Sequence, residues 1–365
     1  MDLSGSKDSQ GYMNEALKAL RRDCRSDILS LFRRHNESIV KIAFVTYSDK
    51  ETKFHNFTDS MEEIRSWLDT TSPSDNVYGH DKFHLILDEI KNIPWNENAT
   101  KIAILVTDGF DPSFYTKFPF PGDSDPISRA RTLALNDITL YIVGVEPFIM
   151  PYKEFFDAIA YATGGMHVTS RNPQQLRDIL ELLAWDWAYL KLLRGQVESE
   201  LIKLDKTVNM KRVARKVYKK LCTLKKSSLL FYKNKVIWPG PSKFSKRLTE
   251  ASPLTGTETG HKLRRRIRQN KSRLLTQHTC IKKKDGRILE YQYNGARIKM
   301  NKNRPLSDGV AMFYSRKQKL GPTSRRMCRR NKRNNEEFMG KFLGITKDNS
   351  DRLVRRLSYK YCGYC

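Results

Sequence analysis

Long hydrophobic runs are missing from this chain. No stretch of about eighteen or more apolar residues occurs in its 365 positions, so no transmembrane segment is expected. No secretory apolar region precedes the first folded stretch either. Cysteine is scarce: Cys24, Cys222, Cys280, Cys328, Cys362 and Cys365 are scattered too thinly for a secreted disulfide scaffold. Cys362-x-x-Cys365 has no second pair at zinc-ribbon spacing, since His278 and Cys280 lie far upstream. These absences point to a soluble protein in a reduced setting, cytoplasmic or nuclear. Catalytic signatures are missing as well. There is no P-loop, no kinase glycine-rich loop with its catalytic-loop partner, no G-x-S-x-G and no H-E-x-x-H, so no enzyme activity is expected.

Acidic residues run out halfway along the chain. Residues 1–185 hold 20 Lys and Arg against 27 Asp and Glu, a net of −7, whereas residues 186–365 hold 47 against 13, a net of +34. A slightly acidic domain is thus joined to a strongly basic one, and any affinity for polyanions belongs to the second. Hydrophobic content is only 39%, so part of the chain is expected to be solvated.

What is present begins at the first residues. Asp2-Leu3-Ser4-Gly5-Ser6 sets an Asp and two Ser at alternate positions, able to aim three hard oxygens at one point. Mg²⁺ and Mn²⁺ favour such ligands. The spacing of Ala16, Leu17, Leu20, Cys24, Ile28, Leu31 and Phe32 predicts a helix over Met13–His35. Val40–Tyr47 reads as a buried strand, and Phe54–Thr58 as a short edge strand. Asp59 and Ser60 cap a helix through Met61, Ile64, Trp67 and Leu68. After a polar loop come helix Lys82–Ile93 and strand Lys101–Val106, which ends in Thr107-Asp108-Gly109. A carboxylate therefore stands at the carboxyl end of a strand, where open α/β sheets place their ligands. Helix Pro126–Asn136, strand Ile138–Val145, helix Tyr152–Thr163, strand Met166–Val168 and helix Pro173–Ala184 complete the alternation. Strands alternating with helices predict an α/β fold with a doubly wound, mostly parallel sheet and helices on both faces.

Residues 1–185 resemble a von Willebrand factor type A domain. The resemblance rests on Asp2-x-Ser4-x-Ser6, on the strand running into Tyr47-Ser48-Asp49, on Thr107-Asp108-Gly109 and on the Ile138–Gly144 strand. It is most specific toward the subgroup of cytosolic von Willebrand A/alpha-kinase proteins and their kinase-less relatives. The words carrying it are Ile93-Pro94-Trp95-Asn96-Glu97-Asn98-Ala99-Thr100-Lys101-Ile102, Ile138 through Pro147, and Tyr152-Lys153-Glu154-Phe155-Phe156 through Thr163-Gly164-Gly165. The resemblance implies a metal-ion-dependent adhesion site for Mg²⁺ or Mn²⁺ built from Asp2, Ser4, Ser6, Asp108 and a loop residue. Gly79-His80-Asp81 makes Asp81 that residue. A protein partner would complete the ion's shell with an acidic side chain. The family's first strand, which ends in the motif Asp, is missing, because only Met1 precedes Asp2. The chain is accordingly expected to be an amino-terminally truncated fragment, with weak metal affinity as written.

Beyond residue 185 we expect a basic helical extension over 186–238, a linker with a cationic arm over 239–275, and a poorly ordered Lys/Arg-rich region over 276–365. In the extension, Asn209–Leu224 sets Val213, Val217, Tyr218 and Leu221 against six cations, either as a nucleic-acid or anionic-lipid face or as a solvated one. Lys262–Lys271 is a cationic helix or arm, compatible with polyanion contact. Residues 308–317, 323–332 and 348–356 form loose echoes of a polar turn, an apolar residue and a few cations. Residues 211–275 and 297–333 are therefore the candidate surface for nucleic acid or another polyanion. The readings that follow are a non-catalytic interaction module working through a divalent ion, a polyanion binder working through the basic half, or a fragment of an alpha-kinase-type protein kinase.

Overall fold

Ile138-Thr139-Leu140-Tyr141-Ile142-Val143-Gly144-Val145 is an uncharged, mostly apolar and largely β-branched run, the pattern of a strand buried on both faces. In a computed structural model of the chain it is buried at every position. The structure describes residues 17–18, 20–21, 39–47, 52–71, 83–107, 125–146, 149–170, 176–202, 214–215, 241–250, 258–277, 279–282, 288–293, 296–299 and 347–362.

The elements in chain order are β1 (Ile42–Tyr47), β2 (Thr52–Thr58), α1 (Met61–Thr70), α2 (Phe83–Asn92), β3 (Lys101–Thr107), α3 (Pro126–Leu135) and β4 (Ile138–Val145). A 3₁₀ turn (Met150–Tyr152) leads into α4 (Lys153–Ala162), followed by β5 (His167–Ser170) and α5 (Leu176–Ile202). Next come α6 (Lys243–Leu248), α7 (Glu258–Gln277), β6 (Thr279–Lys282), β7 (Ile288–Tyr293), β8 (Ala296–Lys299) and α8 (Lys347–Cys362).

The molecule is a mixed α/β protein. β3, β4 and β5 form a parallel sheet in that order, with Lys101 opposite Ile138 and Ile142 opposite His167. β1 and β2 form a separate antiparallel pair. The small sheet β6-β7-β8 is antiparallel.

Alternate residues of β4 feed two different cores. Tyr141, Val143 and Val145 lie in a cluster with Leu17, Ile64 and Leu68 of the amino-terminal part and with Leu176, Ile179, Leu183 and Trp187 of α5. Ile138, Leu140 and Ile142 lie in a second cluster with Leu87, Ile127, Leu133, Phe155, Phe156 and Ile159. Period-two side-chain direction makes this division, and it sets helices against both faces of the parallel sheet.

The capping chemistry is local. Ser60 caps α1 by accepting from Glu63 N at 3.3 Å. Asp125 caps α3 through Ile127 N and Ser128 N, with Pro126 in the first turn, where its missing N–H costs nothing.

The helical continuation expected beyond residue 185 is seen in α5, which runs unbroken to Ile202 with Leu190, Val197 and Leu201 buried along it. Two expectations change. The linker and cationic arm contain two packed helices. Phe244 and Leu248 of α6 and Leu263 and Ile267 of α7 join the second core. The spacing of Leu263 and Ile267 is helical, and the arginines around them hide it from a composition-based reading. Finally, Lys347–Cys362, inside the stretch read as poorly ordered, is a helix whose Leu353, Val354, Leu357 and Tyr359 are buried. The echoes at 308–332 lie outside the described residues.

Candidate functional site

The carboxyl edge of the parallel sheet is where the sequence places a divalent ion. β3 ends at this edge with Thr107, which is 1% exposed and which Asp108 follows in sequence. Beside it, Glu146 follows β4 and is buried, accepting from Thr169 Oγ1 at 2.5 Å while its backbone N–H donates to Ser170 O at 2.9 Å. The edge is thus closed on the β4–β5 side by a carboxylate already engaged. Asp2, Ser4, Ser6, Asp81 and Asp108 all lie outside the described residues. Among the described residues no three His, Cys, Asp or Glu side chains converge to hold a metal ion.

The opposite pole of the sheet carries a polar network that the sequence did not reveal. The turn between α3 and β4 puts Asp137 at φ 60°, a left-handed conformation that Asp tolerates better than most residues. Its carboxylate receives Arg194 of α5 and Lys360 of α8, each at 3.1 Å, and its carbonyl accepts from Arg356 at 2.6 Å. Burial works against the Asp137 charge, yet the hydrogen bonds from Lys360 and Arg194 and the nearby guanidinium charges hold its pKa below the ordinary range. Arg356 is itself buried, which lowers its pKa, and it donates to Thr139 Oγ1.

One turn earlier, Arg352 reaches under the Gly164-Gly165 break that follows α4. Its guanidinium grips Asp186 in a two-bond fork, at 2.9 and 2.6 Å, and donates to Gly164 O at 3.1 Å. Tyr141 donates its hydroxyl to the same carboxylate at 2.9 Å, and burial, with Asp186 adding to it, pushes the phenol pKa well up. The glycines make this approach possible. A Cβ on Gly165 would sit 2.0 Å from Leu140 O, and Gly164 has φ +80° with Arg356 against it. This network ties the carboxyl-terminal helix to the sheet. In the sequence this region is visible only as the echo at 348–356, a polar turn, an apolar residue and cations as of a short basic helix, with nothing to show that Leu353, Val354 and the arginines are buried.

A third group sits inside the second core. His167 Nδ1 meets Asp157 Oδ1 at 2.9 Å, and Lys153 bonds the same carboxylate at 2.8 and 3.0 Å. His167 Nε2 is enclosed beside Gly144, Ile149 and Phe156, with no hydrogen-bond partner among the described residues. This arrangement has the elements of an acid–base dyad, but both side chains are buried, and a catalytic base must reach the proton it takes.

No family model matches the chain, and no curated protein matches it. Among solved structures, proximal thread matrix protein 1 from the mussel byssus aligns at 18% identity over 50% of this chain and 44% of that one, with a TM-score of 0.37. The chain therefore spans less than half of that protein's length. An uncharacterized membrane spanning protein from Vibrio fischeri aligns at 16% identity over 44% of this chain and 82% of its own, with a TM-score of 0.18. Likeness at these scores carries no argument about fold or function.

Proposed function

We propose that this chain is a non-catalytic protein-interaction module of doubly wound, von Willebrand A-like build, working in the cytoplasm or nucleus through a divalent ion at the carboxyl edge of its sheet. The observation that supports it is the two-faced parallel sheet, whose strand β3 ends in Thr107, one residue before Asp108 in sequence, at the edge where such folds place ligands. The split between β1–β2 and β3–β4–β5 is in keeping with this reading. Ile42 and Phe44 of β1 and Ile102 and Ile104 of β3 pack on the same core, yet the two strands are not paired with each other. A doubly wound sheet would set one more parallel strand between them.

On this reading Asp2, Asp81 and Asp108 would supply carboxylate oxygens, and Ser4 and Ser6 hydroxyl oxygens, to one Mg²⁺ or Mn²⁺ ion. An Asp or Glu of the partner protein would take a remaining coordination position. Carboxylates held this close repel each other without a cation, so loading also stabilises the fold. Thermal unfolding with Mn²⁺ and with EDTA tests this. A ligand at about one hundred times its dissociation constant stabilises by about 2.7 kcal/mol. The ion should raise the midpoint of the wild-type chain and leave Asp108→Ala unmoved. Equal shifts in both chains would sink the assignment.

A further inference from the structure

Helix α7 presents an arginine-rich face that the adhesion-site reading does not use. Its inner stripe is fixed: Leu263 and Ile267 are 0% and 1% exposed and pack in the second core with Phe244 and Leu248 of α6. Arg266 adds an anchor, donating to Glu154 of α4 at 2.6 Å and lying 4.1 Å over the Phe244 ring. With that stripe held, His261, Lys262, Arg265, Arg268 and Gln269 face outward and are exposed. The one acidic residue of the helix, Glu258, stands in its first turn and pairs with Lys262 at 2.5 Å. Arg265 and Arg268 have no acidic partner among the described residues. The charge continues past the helix, for residues 258–299 carry thirteen Lys and Arg against three Asp and Glu.

We infer that the outer face of α7 docks the phosphate backbone of a nucleic-acid duplex, without regard to sequence. Twenty helical residues span about 30 Å, so the cations form a rigid row rather than a loose arm. Arginine forks suit phosphate oxygens better than a point charge does. Two other polyanions fit less well. Insertion into an anionic membrane needs an outward apolar face, and over residues 258–270 the large apolar residues, Leu263 and Ile267, are turned into the core. Single strands are held largely by stacking on aromatic rings, and residues 258–277 contain no Phe, Trp or Tyr.

The test is fluorescence anisotropy of the full chain on duplex DNA and duplex RNA of about 20 base pairs, repeated over a salt series. Single strands of the same sequences and phosphatidylserine vesicles run in parallel. The compared variants are Arg265→Glu/Arg268→Glu and, matched in charge, Lys41→Glu/Lys91→Glu. Binding to at least one duplex should fall linearly with log salt, by about 0.9 per phosphate neutralised. The α7 variant should lose about tenfold or more, and the matched variant less than about threefold. Equal losses in the two variants would reduce the effect to net charge and overturn the assignment. Absence of duplex binding, stronger binding to single strands, or capture by vesicles alone would overturn it too.

Discussion

Replacing Arg352 with Met removes the grip of the carboxyl-terminal helix while keeping most of its volume. Arg352 and Asp186 are each 1% exposed, and the guanidinium gives the Asp186 carboxylate two hydrogen bonds beside the one from Tyr141. The variant takes both of these bonds from a buried carboxylate, and Gly164 O loses the Arg352 donor. Breaking one half of a buried pair costs about 3–5 kcal/mol. That is a third or more of the roughly 5–15 kcal/mol that holds a typical domain together. Followed by circular dichroism in urea, the midpoint should fall by roughly 1–3 M. Adding Asp186→Leu and Tyr141→Phe, which remove the stranded carboxylate and hydroxyl, should restore most of the loss, because a well-packed apolar replacement of a buried pair is often neutral. An Arg352→Met chain within about 1 kcal/mol of wild type would refute the reasoning. So would a triple variant no more stable than the single one, since the cost would then lie in packing rather than in uncompensated charge.

Two further expectations concern the same region. The Asp137 pKa is depressed in the folded chain, so its contribution is complete above the unfolded value of about 3.9 and is lost as pH falls through the folded value. Below about pH 4 the wild type should therefore lose more stability than Asp137→Asn, which also tolerates the left-handed backbone; parallel acid-denaturation curves would contradict this. Gly165→Ala should destabilise by roughly 1–3 kcal/mol or more, because its Cβ meets the Leu140 carbonyl. Gly195→Ala in α5, where a Cβ meets nothing within 4 Å, should stabilise by about 0.5–1 kcal/mol. Chemical denaturation of both decides whether the glycine after α4 is there for its close approach to the strand.

The alternating strands and helices of residues 40–184 were legible because their signals are local. β4 is a continuous apolar run, and α3 opens on an Asp cap followed by Pro. The carboxyl-terminal helix was not legible, because what buries its arginines lies far away in sequence. Arg352 is matched by Asp186, 166 residues upstream, and Arg356 by Thr139, 217 residues upstream. No window of periodicity contains such a pair, and a cation without its partner reads as solvated. For α7, read as a cationic helix or arm, it was the docking that stayed hidden, since only two apolar positions among five cations hold it in the core. Of the candidate ion site, the strand that precedes Asp108 in sequence is seen, while Asp2, Ser4, Ser6, Asp81 and Asp108 lie outside the described residues.

The most direct test of the proposed function is calorimetric titration of Mg²⁺ and Mn²⁺ into this chain and into its Asp108→Ala variant. Binding of one ion by the wild type, abolished in Asp108→Ala, is the expected result. No binding by the wild type, or binding that survives Asp108→Ala, would contradict it and leave the basic half as the place to look for function.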